Sequence, residues 1–127
     1  MKLKQAVENY VRFDMVNEKG EKRRELYDRL GADGAVNKET GEPLAAPEIE
    51  IPKDCEEHWR VYFDVSNSLS RVKEGECHHI PPSEWLAWST LTGVRLNYEI
   101  MRMMDNAFVG SMNRELEERR ERNRPTK

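Results

Sequence analysis

The chain has 127 residues, 21 of them basic and 24 acidic, for a net charge of −3, and it is 35% charged against 37% hydrophobic. That length suits one domain, or one domain with an appendage, on a core of modest size. The near balance of charge supplies no general attraction to nucleic acid, and no apolar stretch approaches the length needed to cross a bilayer.

Residues 1–30 read as an N-terminal helical arm. Leu3, Ala6, Val7, Tyr10 and Val11 fall at the i, i+3, i+4 spacing of an amphipathic helix. Residues 1–10 are charged and lack the apolar core of a secretory signal. Gly20 interrupts the pattern, which resumes with Leu26, Tyr27 and Leu30, and Gly31 is placed as a C-terminal stop. Residues 31–53 are then expected to form a Gly/Pro-rich linker or surface loop. Gly31, Gly34, Gly41, Pro43, Pro47 and Pro52 cannot sustain a helix there. Whether the arm folds back on the rest of the chain is left open by the sequence.

Residues 54–127 read as a three-helix domain with a charged C-terminal end, which makes the chain mainly α. Trp59, Tyr62, Phe63, Ser66 and Leu69 share one helical face, and Asp54, Glu56 and Glu57 sit near its positive end. Residues 73–75 are expected to end that helix. Pro81 and Pro82 open the next, with Trp85, Trp88 and Leu91 as its apolar face and Gly93 closing it. Asn97 is an N-cap for the third helix, with Leu96 and Met101 as a hydrophobic staple. The stripe of Ile100, Met104, Ala107 and Phe108 continues into a mixed-charge end with i, i+4 pairs such as Glu115 with Arg119. Trp59, Phe63, Trp85, Trp88, Met104 and Phe108 are the expected core.

Chemistry is sparse in this pattern. The glycines build no phosphate loop, no catalytic residue is assigned, and no cofactor is expected. Asp105 lies inside the apolar stripe, as a general acid or base, as a partner for Arg95 or Arg102, or as a surface position beside the core stripe. Cys55, His58, Cys77 and His79 lie within 25 positions and could supply two thiolates and two imidazoles to a structural zinc. The Cys77-His78-His79 run is not a usual ligand spacing, however, and the aromatic core accounts for the fold without metal. With no export signal, reduced thiols are the expected state. Met101, Met103 and Met112, with Tyr98 and Leu116, are candidate partner-binding residues, because thioethers repack around varied surfaces. The same residues also read as ordinary core. A unit of this size cannot bury them all, and the remainder would serve a partner or self-association.

Trp59, Tyr62, Phe63 and Ser66 precede a loop, then Trp88-x-x-Leu91-Thr92-Gly93-x-x-Leu96, then Glu99 and Met104-Asp105-x-Ala107-Phe108. This order resembles a family of small bacteriophage and prophage proteins encoded among tail genes, labelled tail assembly chaperone-like. The likeness covers about residues 55–110 and leaves residues 1–54 outside. Met104 replaces the family's usual Leu, and Cys77, His78 and His79 have no counterpart. The resemblance implies a non-enzymatic protein of the bacterial host cytoplasm that binds other tail proteins, the tape-measure or tail-tube protein, during morphogenesis. The residues leave two alternatives: a zinc-stabilised helical adaptor, and a helix-turn-helix regulator formed by the last two helices. The absence of Lys or Arg between Pro81 and Val94 argues against the regulator, and no nucleic acid or membrane partner is expected.

Overall fold

The computed structural model describes residues 2–16 and 20–124. Met1 and residues 17–19 of the expected arm, and residues 125–127 of the expected three-helix domain, lie outside the described residues. The fold is mainly helical. α1 (Lys2–Asn9) runs into a π-helical turn (Tyr10–Asp14), and α2 spans Arg23–Ala32. A short 3-10 turn (Lys53–Cys55) leads into α3 (Glu56–Ser68), followed by α4 (Pro82–Thr92) and α5 (Tyr98–Arg122). Between α3 and α4, β1 (Val72–Lys73) pairs antiparallel with β2 (Glu76–Cys77). Among the described residues, no helix is long and apolar enough to cross a membrane.

α5 is the axis on which the rest is assembled. Its 25 residues extend about 37 Å at the α-helical rise. The Asn97 side chain accepts hydrogen bonds from the Glu99 and Ile100 N–H groups, the cap read from the sequence. Gly93 ends α4 as expected, with a φ of +71° that a side chain would strain. Tyr62 and Phe63 of α3, Trp85 of α4, and Met104 and Phe108 of α5 are buried together, while Trp59 and Trp88 pack partly buried at the edge. Tyr62 stacks on Trp85 at 5.6 Å and meets Phe108 edge-on at 5.9 Å.

The N-terminal segment seals this core. Leu3, Val7 and Val11 join the same buried cluster as Met101 and Phe108, and the Tyr10 ring lies 4.4 Å from Phe63. An eight-residue helix would not persist alone in water. Burying each aliphatic side chain of its stripe contributes about 1.5–3 kcal/mol, and that holds it in place. The π-helical turn then shifts the register, so that Val11 enters the core while Phe13 turns to Tyr27 of α2, ring to ring at 5.3 Å.

Three local expectations are corrected. Residues 73–75 do not end the preceding helix, which stops at Ser68. They form the tip of the hairpin instead, with Glu74 at φ +55° and Gly75 at φ +80°, the two left-handed residues of a tight turn. Gly31 is not a stop but lies in the last turn of α2, where a Cβ would sit 2.0 Å from the Leu44 carbonyl oxygen. Close backbone approach is what requires glycine there. Leu91, placed on the packed face of α4, is 84% exposed, because the helix docks through Trp85.

The Gly/Pro-rich segment runs over the surface and is stitched to its flanks. Leu44 N–H donates to the Ala35 carbonyl and Asn37 N–H to the Glu42 carbonyl. Arg24 pairs with Asp14 at 2.8 Å and donates to the Pro47 carbonyl at 2.6 Å, tying α2 to both the π-helical turn and this segment.

Candidate functional site

The densest polar constellation is centred on Asp105, which is buried. One carboxylate oxygen accepts from Tyr62 Oη at 2.8 Å and Arg71 Nη2 at 2.7 Å. The other accepts from the Ile80 N–H at 3.1 Å and lies 2.9 Å from His79 Nδ1. Arg71, buried as well, donates further to Ser66 Oγ at 2.6 Å and to the His78 carbonyl at 3.1 Å, with its guanidinium 4.7 Å over the Phe108 ring. Arg95 and Arg102, the partners the sequence suggested, are exposed. The actual partner comes from 34 residues upstream, carried in by the hairpin. Asn113 of α5 fixes that hairpin by accepting from the Cys77 N–H at 2.7 Å and donating to the Cys77 carbonyl at 3.3 Å.

A buried ion pair offsets the cost of desolvation only when its remaining donors and acceptors are satisfied. Here Arg71 and Asp105 are satisfied from five directions, and together they clamp α3, the hairpin, the loop before α4 and α5. Burial, with the Asp105 charge second, pushes the Tyr62 phenol well above its ordinary range and keeps it a donor to that carboxylate. Asp105 and His79 have the geometry of an acid orienting an imidazole. The adjoining cleft, about 230 Å³, is lined by His79, Ile80, Pro82, Trp85, Tyr98, Arg102, Asp105 and Asn106, a set without a serine, threonine or cysteine nucleophile. The constellation reads as a structural clamp in which His78, which supplies only its carbonyl, and His79 are exposed.

Three of the four candidate zinc ligands are engaged separately. His58 Nε2 accepts from the Asn97 N–H at 2.9 Å, His79 is held by Asp105, and Cys77 is buried beneath the hairpin. Among the described residues, no three His, Cys, Asp or Glu side chains come together as a metal site. Burial raises both thiols, Cys55 with a second contribution from the Asp54 charge.

The candidate partner-binding residues fall into four places. Met101 is fully buried at 0% exposure and belongs to the core, so its reading as a binding residue is corrected. Its position beside α1, unknowable without the fold, decided this. Tyr98 lies half exposed at the cleft beside His79, and Met103 lines a shallow depression with Lys4 and Arg102. Met112 and Leu116 line a groove of about 420 Å³ between the far half of α5, the π-helical turn and α2. Val11, Met15, Val16 and Leu26 complete its apolar floor, and Arg12, Arg23, Arg119 and Arg122 stand around it.

A second apolar surface escaped the sequence reading. α4 buries only Trp85, and Leu86 and Leu91 are 71% and 84% exposed. Trp88 Nε1 is buried without a hydrogen-bond partner, a desolvation cost that α4 bears in its docked position. The signal in the sequence was present: α4 is apolar on nearly all sides and has one charged residue, Glu84.

Compared with known protein families, characterised proteins and solved structures, the chain matches none.

Proposed function

We propose that the chain is a non-enzymatic assembly protein that binds other proteins, acting in phage tail morphogenesis in the bacterial host cytoplasm with the tape-measure or tail-tube protein as its partner. The observation that carries this reading is how the residues of the tail-family resemblance divide in the fold. Tyr62, Phe63, Ser66, Asp105, Ala107 and Phe108 are buried, where packing accounts for them. Leu91, from the same motif, stands in water at 84% exposure, and Leu86, elsewhere on α4, at 71%. Both leucines therefore lie outside the core, where they are accessible to a partner.

The test is co-expression with the tape-measure and tail-tube proteins encoded in the same genome. The wild-type chain is expected to co-purify with one of them. The Leu86→Asp, Leu91→Asp double variant is expected to fold but to lose that partner. Failure of the wild-type chain to retain either protein would overturn the reading.

A further inference from the structure

We infer that the groove between α2, the π-helical turn and the far half of α5 is a docking site for an acidic amphipathic helix of another protein. The inference stands on a different surface from α4 and does not depend on the tail reading.

The floor and rim of the groove differ in chemistry. Met112 and Leu116 lie one turn apart on α5, and Val11, Met15, Val16 and Leu26 face them across the groove. Val11 is buried beneath, but Val16 is 59% exposed and Leu26 is 40% exposed, so the outer part of this floor meets water. Nothing on α5 beyond Ser111 is buried, so Met112 and Leu116 are at hand for a second element. At about 420 Å³ the groove has room for a few apolar side chains. Two rows of i, i+4 contacts between flanking helices are the form in which an amphipathic helix is received.

The rim gives the sign of the occupant. Four arginines and one glutamate line the groove, in a chain whose net charge is −3. Glu115 is taken by Arg23 through two hydrogen bonds of 3.1 and 3.3 Å, which bridge α2 and α5. Arg12 and Arg122 are exposed beside it, while Arg119, seven residues after Met112 and three after Leu116, is already engaged within the chain. Guanidinium forks around an apolar floor suit carboxylates on the outer edge of a helix whose inner face is Leu or Met. A phosphodiester backbone would use the rim and leave the floor empty, which is why a protein segment is the better fit.

The full chain is titrated with a fluorescently labelled amphipathic peptide, Leu on one helical face and Glu on the other, and with the same peptide carrying Lys in place of Glu. The Glu peptide is expected to bind, weakening as salt rises, and at least about tenfold tighter than the Lys peptide. The Arg12→Glu, Arg122→Glu double variant is expected to reverse that preference. Leu116→Asp is expected to abolish binding of both peptides while circular dichroism stays unchanged. Equal binding of the two peptides, no binding of either, or indifference to the groove variants would overturn the inference. So would tighter binding of a single-stranded oligonucleotide, or light scattering that shows the groove closed by a second copy of the chain.

Discussion

Residues 101–109 and 112–122 of α5 belong to one helix with one apolar periodicity, yet they meet opposite environments. The first stretch is enclosed by α1, α3, the hairpin and α4, and it buries Met101, Met104, Asp105, Ala107, Phe108 and Val109. The second has the π-helical turn and α2 on one side and touches the hairpin only through Asn113, and Met112, Glu115 and Leu116 are only partly buried there. A helical stripe therefore states which residues can be buried. How many elements converge on it decides which ones are. The same contrast holds for charge: Asp105 is enclosed with every oxygen satisfied, whereas Glu115 and the neighbouring arginines keep contact with water.

Removing Asp105 should break the enclosed half most severely. Asp105→Ala leaves the Arg71 guanidinium buried without its counter-charge, and chemical denaturation should show a loss of about 3–5 kcal/mol. Replacing both partners with apolar residues, Asp105→Leu with Arg71→Met, should cost clearly less than the single change, because no unpaired charge remains.

Truncating one methionine in each half compares them directly. Met101→Ala should destabilise by about 2–5 kcal/mol through the cavity it leaves. Met112→Ala, at the groove, should stay within about 1 kcal/mol in the same unfolding experiment.

Alkaline pH tests the clamp through Tyr62. Its folded-state pKa is raised above the ordinary value of 10.0, so the stability linked to its protonated form is complete below that value and is lost as pH rises beyond it. Cys77, raised above 9.0 by burial, adds a loss of the same sign that starts one unit lower. Unfolding free energy should therefore fall above about pH 9, by up to about 1.4 kcal/mol per pH unit for each group. Cys55 is raised by burial as well, so the Cys55→Ala, Cys77→Ala double variant should move the onset toward pH 10.

The smallest expected effect is at the start of α5. Asn97→Ala removes the acceptor for two backbone N–H groups and should cost about 1 kcal/mol, with no change in the groove's peptide preference.

Much of the architecture was legible in the residues alone. The helices around Trp59, Trp85 and Met104, the Gly93 stop and the Asn97 cap all arise from interactions spanning four residues or fewer, and local pattern reports those well. Asp105 was recognisable as an anomaly within an apolar stripe, but its partner was not. Arg71 lies 34 positions away, and it reaches the carboxylate only because Glu74 and Gly75 turn the chain back. That turn lacked the Asn-Gly or Asp-Gly signature that marks a hairpin, so a helix end was read in its place. Leu91 matched the spacing of Trp85 and Trp88, and nothing in that spacing tells how far α4 rotates on its one buried tryptophan.

By itself, then, the amino-acid order determined the helical class, the caps and the set of apolar residues available for burial, because these depend on neighbours along one or two turns. Only the tertiary structure decided that α1 closes the core, that Gly31 must admit the Leu44 carbonyl, that Asp105 anchors a buried clamp, and that Met101 and Met112 part ways. Those outcomes depend on segments that approach one another from distant parts of the chain. Their energy comes from excluding water between surfaces that only the completed packing brings together.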